Sequence, residues 1–360
     1  EVLDIIDEMD FHNNSDLYQL SLIYEKLLKD MGSDGGNSGE FYTPRPLIKV
    51  ITDVVNPKIG DKIYDPAVGS CGFLIEAYNH IRYENIETNK QRDLSTEQLR
   101  FLSEDTFFGN EKTPLSYVMG VMNMILHGVE SPNISKTNTL TRDIRGLEEK
   151  DRYDCILANP PFGGKEKEQI QQNFPIKSNA TELLFLQHMM NSLKLQGRCG
   201  VVIPEGVLFQ TNNAFQAVKK DLCERFNVHT ILSLPSGVFL PYSGVKTNVI
   251  FFDRNGSTSD IFYYEVNPSS KLTKNKPINN SHFEEFLDVW KDRKITDNSW
   301  IVNINEIKDF DISAKNPNRN DVIEHKSPIE LVENIKLNNA EINDLMDEIE
   351  AILIGKDINE

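Results

Sequence analysis

The chain has 360 residues, enough for one large α/β domain with appendages or for about two domains of roughly 150 residues each. Apolar residues make up 39% and charged residues 26%, so the chain can build a core and is not of the disordered class. With 38 Lys and Arg against 55 Asp and Glu the formal charge is −17, which excludes a generally basic nucleic-acid binder: a local basic strip or a partner would have to supply any grip on phosphate.

No stretch approaches 18 consecutive apolar residues, so no membrane span is expected, and no signal peptide opens the chain. The first residue is Glu1 rather than Met, which reads as a processed, truncated or partly ordered chain. Cys71, Cys155, Cys199 and Cys223 do not stand at metal-ligand spacing, so no metal site is expected, and a reducing cytoplasm is the natural compartment.

In chain order, Ser15 can cap a helix whose Leu17, Leu20, Tyr24, Leu27 and Leu28 share one face. The helix stops in a Gly-rich linker over residues 32–39. From Pro44 the pattern becomes α/β: a helix through Val55, a short strand over residues 62–65, a Gly-rich turn and a helix from Phe73. Residues 84–103 are polar and read as an insertion, followed by a strand at 106–109 and a helix to His127. Residues 153–158 form an almost wholly apolar strand, as expected when both faces are covered. Asn179 with Glu182 reads as a capping box for a helix through Leu195, and strands follow at 199–203, 229–234 and 247–252. Alternating strands and helices predict a doubly wound, mostly parallel α/β sheet.

After about residue 255 the texture becomes rich in Asn, Lys, Ser and Pro. The tail carries Leu331, Ile335, Asn338, Ile342, Leu345, Ile349 and Ile352 at alternating heptad steps. The expected organisation is a helical segment and linker over 1–38, a catalytic domain over 39–255, an extension over 256–327 and a C-terminal helix over 328–360. A seam of this kind needs a facing helix, so the last helix is expected to dock a partner, the alternative being that it packs on its own domain.

Three stretches carry chemistry. Asp65-Pro66-Ala67-Val68-Gly69-Ser70-Cys71-Gly72-Phe73 lies where a strand gives way to a helix, the edge at which α/β proteins bind nucleotides. It is neither G-x-G-x-x-G nor a P-loop, which disfavours a nicotinamide enzyme or an NTPase; taken alone it also suits an ordinary turn. Glu111 ends the next strand, where a carboxylate can accept from ribose hydroxyls, although a solvated surface Glu looks the same. Asn159-Pro160-Pro161-Phe162 follows the apolar strand. The prolines remove two N–H donors and leave the Asn159 amide oxygen and the Pro160 carbonyl as acceptors, the pair an exocyclic amine with two N–H donors requires. Phe162 can stack on a planar base.

These stretches, with Phe41-Tyr42-Thr43-Pro44-Arg45-Pro46-Leu47 ahead of them and residues 182–188, 234–239 and 244–252 behind, resemble the modification subunits of type I restriction–modification systems. Residues 311–313 resemble a later family stretch. That family comprises S-adenosylmethionine-dependent DNA adenine-N6 methyltransferases of the γ motif order, with a Rossmann-like fold.

The resemblance implies that Glu40, Phe41, Tyr42, Thr43, Pro44 and Arg45 wrap the methionine part of the cofactor. Asp65, Gly69, Ser70, Cys71, Gly72 and Phe73 would line its amino-acid and ribose side, Glu111 would take the ribose hydroxyls, and Asp143 would reach its adenine. Asn159, Pro160, Pro161 and Phe162 would hold a flipped adenine. It further implies DNA as substrate, a separate specificity subunit, a motor-nuclease subunit and two modification subunits per complex. The longer N-terminal helical region usual in the family is mostly missing here. Cys71 stands where an Ala-like residue is common.

A protein glutamine N5-methyltransferase would use the same Asn-Pro-Pro logic, but the chain length, the Thr-Pro segment ahead of the glycine turn, and Phe rather than Tyr at position 162 speak against it. A non-catalytic cofactor-binding scaffold is countered by the intact Asn159 and Glu111.

Overall fold

A computed structural model describes Tyr24, residues 43–86, 94–313 and 315–318, and Lys336, Asn339, Ile342, Asn343, Leu345 and Met346. Glu40, Phe41 and Tyr42 lie outside the described residues, as does most of the C-terminal heptad seam; of that seam, Ile342 and Leu345 are helical and exposed. Residues up to Asn316 belong to one compact unit and those from Pro317 to a second.

Helix α1 (Arg45–Val55) starts with Pro46 at an early position, where a missing N–H costs nothing, and stops at Asn56 in a left-handed conformation whose N–H donates to the Thr52 carbonyl at 2.7 Å. Its Leu47, Ile48, Ile51, Val54 and Val55 are buried. Strand β1 (Ile63–Asp65) leads into α2 (Gly72–Ile86). The stretch read as a polar insertion contains α3 (Thr96–Glu104), opened by a capping box between Ser95 and Gln98.

Strand β2 (Phe107–Glu111), α4 (Pro114–Leu126), β3 (Asn133–Lys136) and β4 (Tyr153–Ala158) follow. After the short α5 (Glu168–Gln171) come α6 (Thr181–Ser192) and β5 (Leu193–Pro204). The capping box expected from Asn179 and Glu182 does not form: Ala180 is the N-cap with no side-chain bond, and the helix ends at Ser192 because Leu193 already belongs to the strand.

Helices α7 (Glu205–Phe209) and α8 (Asn213–Arg225) precede β6 (Asn227–Ser233), β7 (Thr247–Asp253), β8 (Asp260–Glu265), α9 (Glu284–Val289) and β9 (Ser299–Asn303).

The nine strands form one sheet in the order β3-β2-β1-β4-β5-β7-β6-β8-β9. The five strands from β3 to β5 are parallel, β7 runs antiparallel between β5 and β6, β8 is parallel to β6, and β9 is antiparallel to β8. The sheet therefore does not stop at residue 255, because β8 and β9 lie in the stretch expected to be an extension. Their aromatic runs find cores on both faces, with Phe262 buried on one and Tyr263 on the other.

Period-two alternation sorts every central strand in this way. Ile63, Phe251 and Phe262 pack under α1, α2 and α9, whereas Tyr64, Phe252 and Tyr263 pack under α6 and α8. Each fully buried Leu, Ile or Phe contributes about 1.5–3 kcal/mol. The β1–β4 boundary is where strand order reverses from β1-β2-β3 to β4-β5, so the carboxyl ends of these two strands open a crevice.

Candidate active site

The crevice is lined by Thr43, Ile48, Asp65, Ala67, Val68, Gly69, Ser70, Gly72, Phe73 and Asn159, with an empty volume of ≈ 340 Å³ that includes space open to solvent. Its floor is the turn after β1. Gly69 and Cys71 both adopt positive φ, 50° and 61°, and Cys71 closes the turn by donating its N–H to the Val68 carbonyl at 2.7 Å. Burial, reinforced by the charges of Asp65 and Glu111, pushes the Cys71 thiol well up, so it is a packing residue and not a nucleophile.

Glu111 braces this turn. One carboxylate oxygen accepts from the Gly69 N–H at 3.0 Å and the other from the Thr113 N–H at 2.7 Å. Only 7% of Glu111 is exposed, so both bonds lie in a shielded setting. Each oxygen keeps a second acceptor site. Asp65 is 1% exposed, and burial is the main reason its carboxyl rises to about 8; the Ala67 N–H bond works against the shift and the Glu111 charge adds to it. Asp65 thus lines the crevice as a carboxyl group that a cationic ligand would help to ionise, and Glu111 stands behind it, bonded to the Gly69 N–H.

Two further residues hold the turn, and neither stood out in the sequence. Asn123 on α4 donates to the Ser70 carbonyl at 2.8 Å from a fully buried position. Gly120 lets α4 approach: a Cβ there would stand 2.7 Å from the Gly69 carbonyl oxygen and 2.8 Å from the Cys71 sulfur. A single helical glycine between Tyr117 and Asn123 is a visible signal, but its reason is tertiary.

At the opposite wall, the Asn159 amide nitrogen donates to the Thr43 hydroxyl at 3.0 Å. The amide oxygen of Asn159 is buried and, among the described residues, has no hydrogen-bond partner. A buried acceptor of this kind costs free energy until a donor arrives, and this one belongs to a residue that lines the crevice. Phe162 is half-buried and stands edge-on to Phe239 with ring centroids 6.3 Å apart. Pro160 is buried and Pro161 exposed. Arg45 contacts the turn through its guanidinium, 3.4 Å from the Gly72 carbonyl, and Pro44 caps α1 beside it.

Asp143 is not brought into the crevice. Both its oxygens accept from the Arg145 guanidinium, at 2.8 and 2.6 Å, on an exposed loop. The same partner holds its carboxyl down at about 2. What approaches the floor after β3 is Thr139, whose buried hydroxyl donates to the Pro66 carbonyl. The family resemblance implied a cofactor contact for Asp143, and the sequence alone could not show that its carboxylate pairs with Arg145.

The model of the N-6 DNA Methylase family matches residues 15–327. The chain is 34% identical over 98% of its length to the EcoEI type I restriction enzyme methylase subunit of Escherichia coli. The chain belongs to the N-6 DNA methylase family, among the methylase subunits of type I restriction enzymes. It is 32% identical to the EcoKI methylase subunit of Escherichia coli K12 over 82% of this chain. It spans 72% of the first relative's length and 58% of the second's. A solved chain from a study of complex assembly and conformational transition of the type I R-M system superimposes with a TM-score of 0.82 at 44% identity, covering 98% of this chain and 74% of that one. Among the described residues of this family member, no helix is long and apolar enough to cross a membrane, and no group of His, Cys, Asp and Glu could hold a metal ion.

Proposed function

We propose that this chain transfers a methyl group from S-adenosylmethionine to the N6 amine of adenine in DNA. It would do so as the modification subunit of a type I complex in the cytoplasm, with DNA sequence read by a separate specificity subunit and cleavage carried by a motor-nuclease subunit. Two modification subunits per complex are part of the same reading. The observation that carries it is the buried Asn159 oxygen at the wall of the crevice, without a hydrogen-bond partner among the described residues.

The residues suit the cofactor. The left-handed turn at Gly69 and Cys71 admits a ligand close to backbone, Glu111 lies behind the turn, and Asp65 can ionise as a positively charged ligand binds. When bound, S-adenosylmethionine supplies an electrophilic methyl on a sulfonium. Asn159 has the remaining task. With its NH2 fixed on Thr43, its oxygen accepts an N–H from the target amine, and the Pro160 carbonyl is the natural second acceptor. Drawing both N–H bonds out this way turns the nitrogen lone pair from the ring toward the methyl. The base must leave the stack, at a cost of a few kcal/mol. Stacking on Phe162 offsets roughly 1–3 kcal/mol of that.

The deciding experiment is transfer of a tritiated methyl group to unmethylated DNA, with and without the neighbouring-gene specificity subunit. Label should appear at adenine N6 and depend on the partner. Label on protein glutamine, or cofactor binding without transfer when all partners are present, would overturn the reading.

A further inference from the structure

A chain of net charge −17 that works on DNA needs local positive charge beside its acceptor residues. We infer that two lysine-bearing loops, one carrying Lys165, Lys167 and Lys177 and the other Lys271, Lys274 and Lys276, form a split cradle for the sugar–phosphate backbone of the strand that carries the target base. The inference rests on the DNA-methylation reading above and adds to it a surface for the strand.

The first loop leaves β4 directly after Phe162. Backbone pairing pins it, with Glu166 N–H donating to the Asn179 carbonyl at 2.8 Å and Thr181 N–H to the Gly164 carbonyl at 3.2 Å. Gln187 clamps its return arm by bonding both the N–H and the carbonyl of Ile176, at 3.0 and 2.9 Å. Lys165, Lys167 and Lys177 all point out of this pinned frame and are exposed. Two acids sit nearby: Glu166 is engaged by the Thr181 hydroxyl at 3.4 Å, and Glu168 is exposed at the start of α5.

The second loop leaves β8, which is parallel to β6, so it emerges at the same edge of the sheet as the crevice. Residues 267–282 contain three lysines and no acidic residue, in a chain where acids outnumber bases. Leu272 and Ile278 are each 3% exposed and anchor the loop, while Thr273 and Lys276 exchange backbone bonds of 3.1 Å in a tight turn. Lys271, Lys274 and Lys276 are exposed on it. This loop meets the target side of the crevice through Gly237, where a Cβ would lie 3.3 Å from the Leu272 carbonyl. Gly237 belongs to the same loop as Phe239, whose ring faces Phe162. One ring of the aromatic pair therefore opens into the first basic loop, and the segment that carries the other packs on the second. Among the described residues none of the six ammonium groups is in an ion pair, whereas Lys246 at the same edge is already held by Glu205 at 2.7 Å.

The test compares the full chain, assembled with its specificity subunit, with two variants: K271Q/K274Q/K276Q and K165Q/K167Q. Binding to unmethylated duplex DNA is titrated across salt concentration, and cofactor affinity is measured by calorimetry on the same samples. Each phosphate contact removed should flatten the log–log salt dependence by about 0.9, so the triple variant should lose about 2–3 in slope and about tenfold or more in DNA affinity. Cofactor affinity should not change, and K271R/K274R/K276R should restore the slope. An unaltered slope and affinity in both Gln variants, with methylation by the unsubstituted complex intact, overturns the cradle alone. Failure of the unsubstituted complex to methylate DNA overturns the underlying reading and the cradle with it.

Discussion

Thr43 fixes the amide of Asn159: the Thr43 hydroxyl takes the Asn159 NH2 at 3.0 Å, and the amide oxygen is left as a buried acceptor with no donor among the described residues. The two residues are 116 positions apart, so the Thr-Pro segment ahead of α1 decides which way the amide after β4 faces. Asn159→Ala should abolish methyl transfer while calorimetry still shows cofactor binding. Thr43→Val should lower the single-turnover rate about three- to tenfold, the worth of one neutral hydrogen bond. Substantial transfer by Asn159→Ala would refute the assignment of Asn159 as the amine's acceptor.

Asp65 links cofactor binding to pH. Its carboxyl is raised to about 8 by burial, so in the free protein it is largely protonated at pH 7. A cationic ligand favours the ionised form, so affinity should rise with pH up to about 8 and then level off, with proton release below that point. The same shift means the folded state binds more protons than the unfolded state between the ordinary carboxylate range and about 8. This group's contribution to stability therefore falls as pH rises through that window. Asp65→Asn should remove both dependences. Calorimetry in buffers of different ionisation enthalpy measures the proton count, and a pH-independent count of zero would rule the linkage out.

Glu111 is a brace of the turn in addition to its proposed ribose contact, because both its oxygens already accept from backbone N–H groups. Glu111→Ala should weaken S-adenosylmethionine binding by about 1.5–3 kcal/mol through the lost charge-assisted acceptor and lower the melting temperature as the Gly69 turn loosens. Unchanged cofactor affinity would place the ribose site elsewhere.

Gly120→Ala tests the packing of α4 on the turn. On helix propensity alone alanine should stabilise by about 1 kcal/mol. The new Cβ would meet the Gly69 carbonyl and the Cys71 sulfur inside van der Waals distance, and overpacking of this kind costs about 1–3 kcal/mol. The net expectation is a lower melting temperature together with weaker cofactor binding. A stabilised variant that binds cofactor normally would show that the turn yields freely.

Residues 328–360 are proposed to dock the specificity subunit, on the strength of the heptad seam through Leu331, Ile335, Asn338 and Ile342. Deleting them should leave a folded, cofactor-binding protein that no longer co-purifies with that subunit. Unfolding on truncation, or co-purification at full yield, would show the helix serves its own domain.

The sequence by itself determined the alternation of strands and helices, the turn after β1, the acid closing β2 and the acceptor tetrapeptide after β4. Each of these is a local pattern: a hydrophobic period, a run of glycines, or a pair of prolines that removes N–H donors. Only the tertiary structure decided which groups those patterns would face. It tied Asp143 to Arg145, gave Glu111 two backbone N–H groups to hold, and turned Asn159 on Thr43. It also carried the sheet past residue 255 by pairing β8 with β6 and β9 with β8, an edge extension that the aromatic run of β8 permits but does not specify. Local chemistry constrains a residue's own backbone and the kind of group it presents. Its hydrogen-bond partner is set by which distant segment the packed sheet brings within about 3 Å.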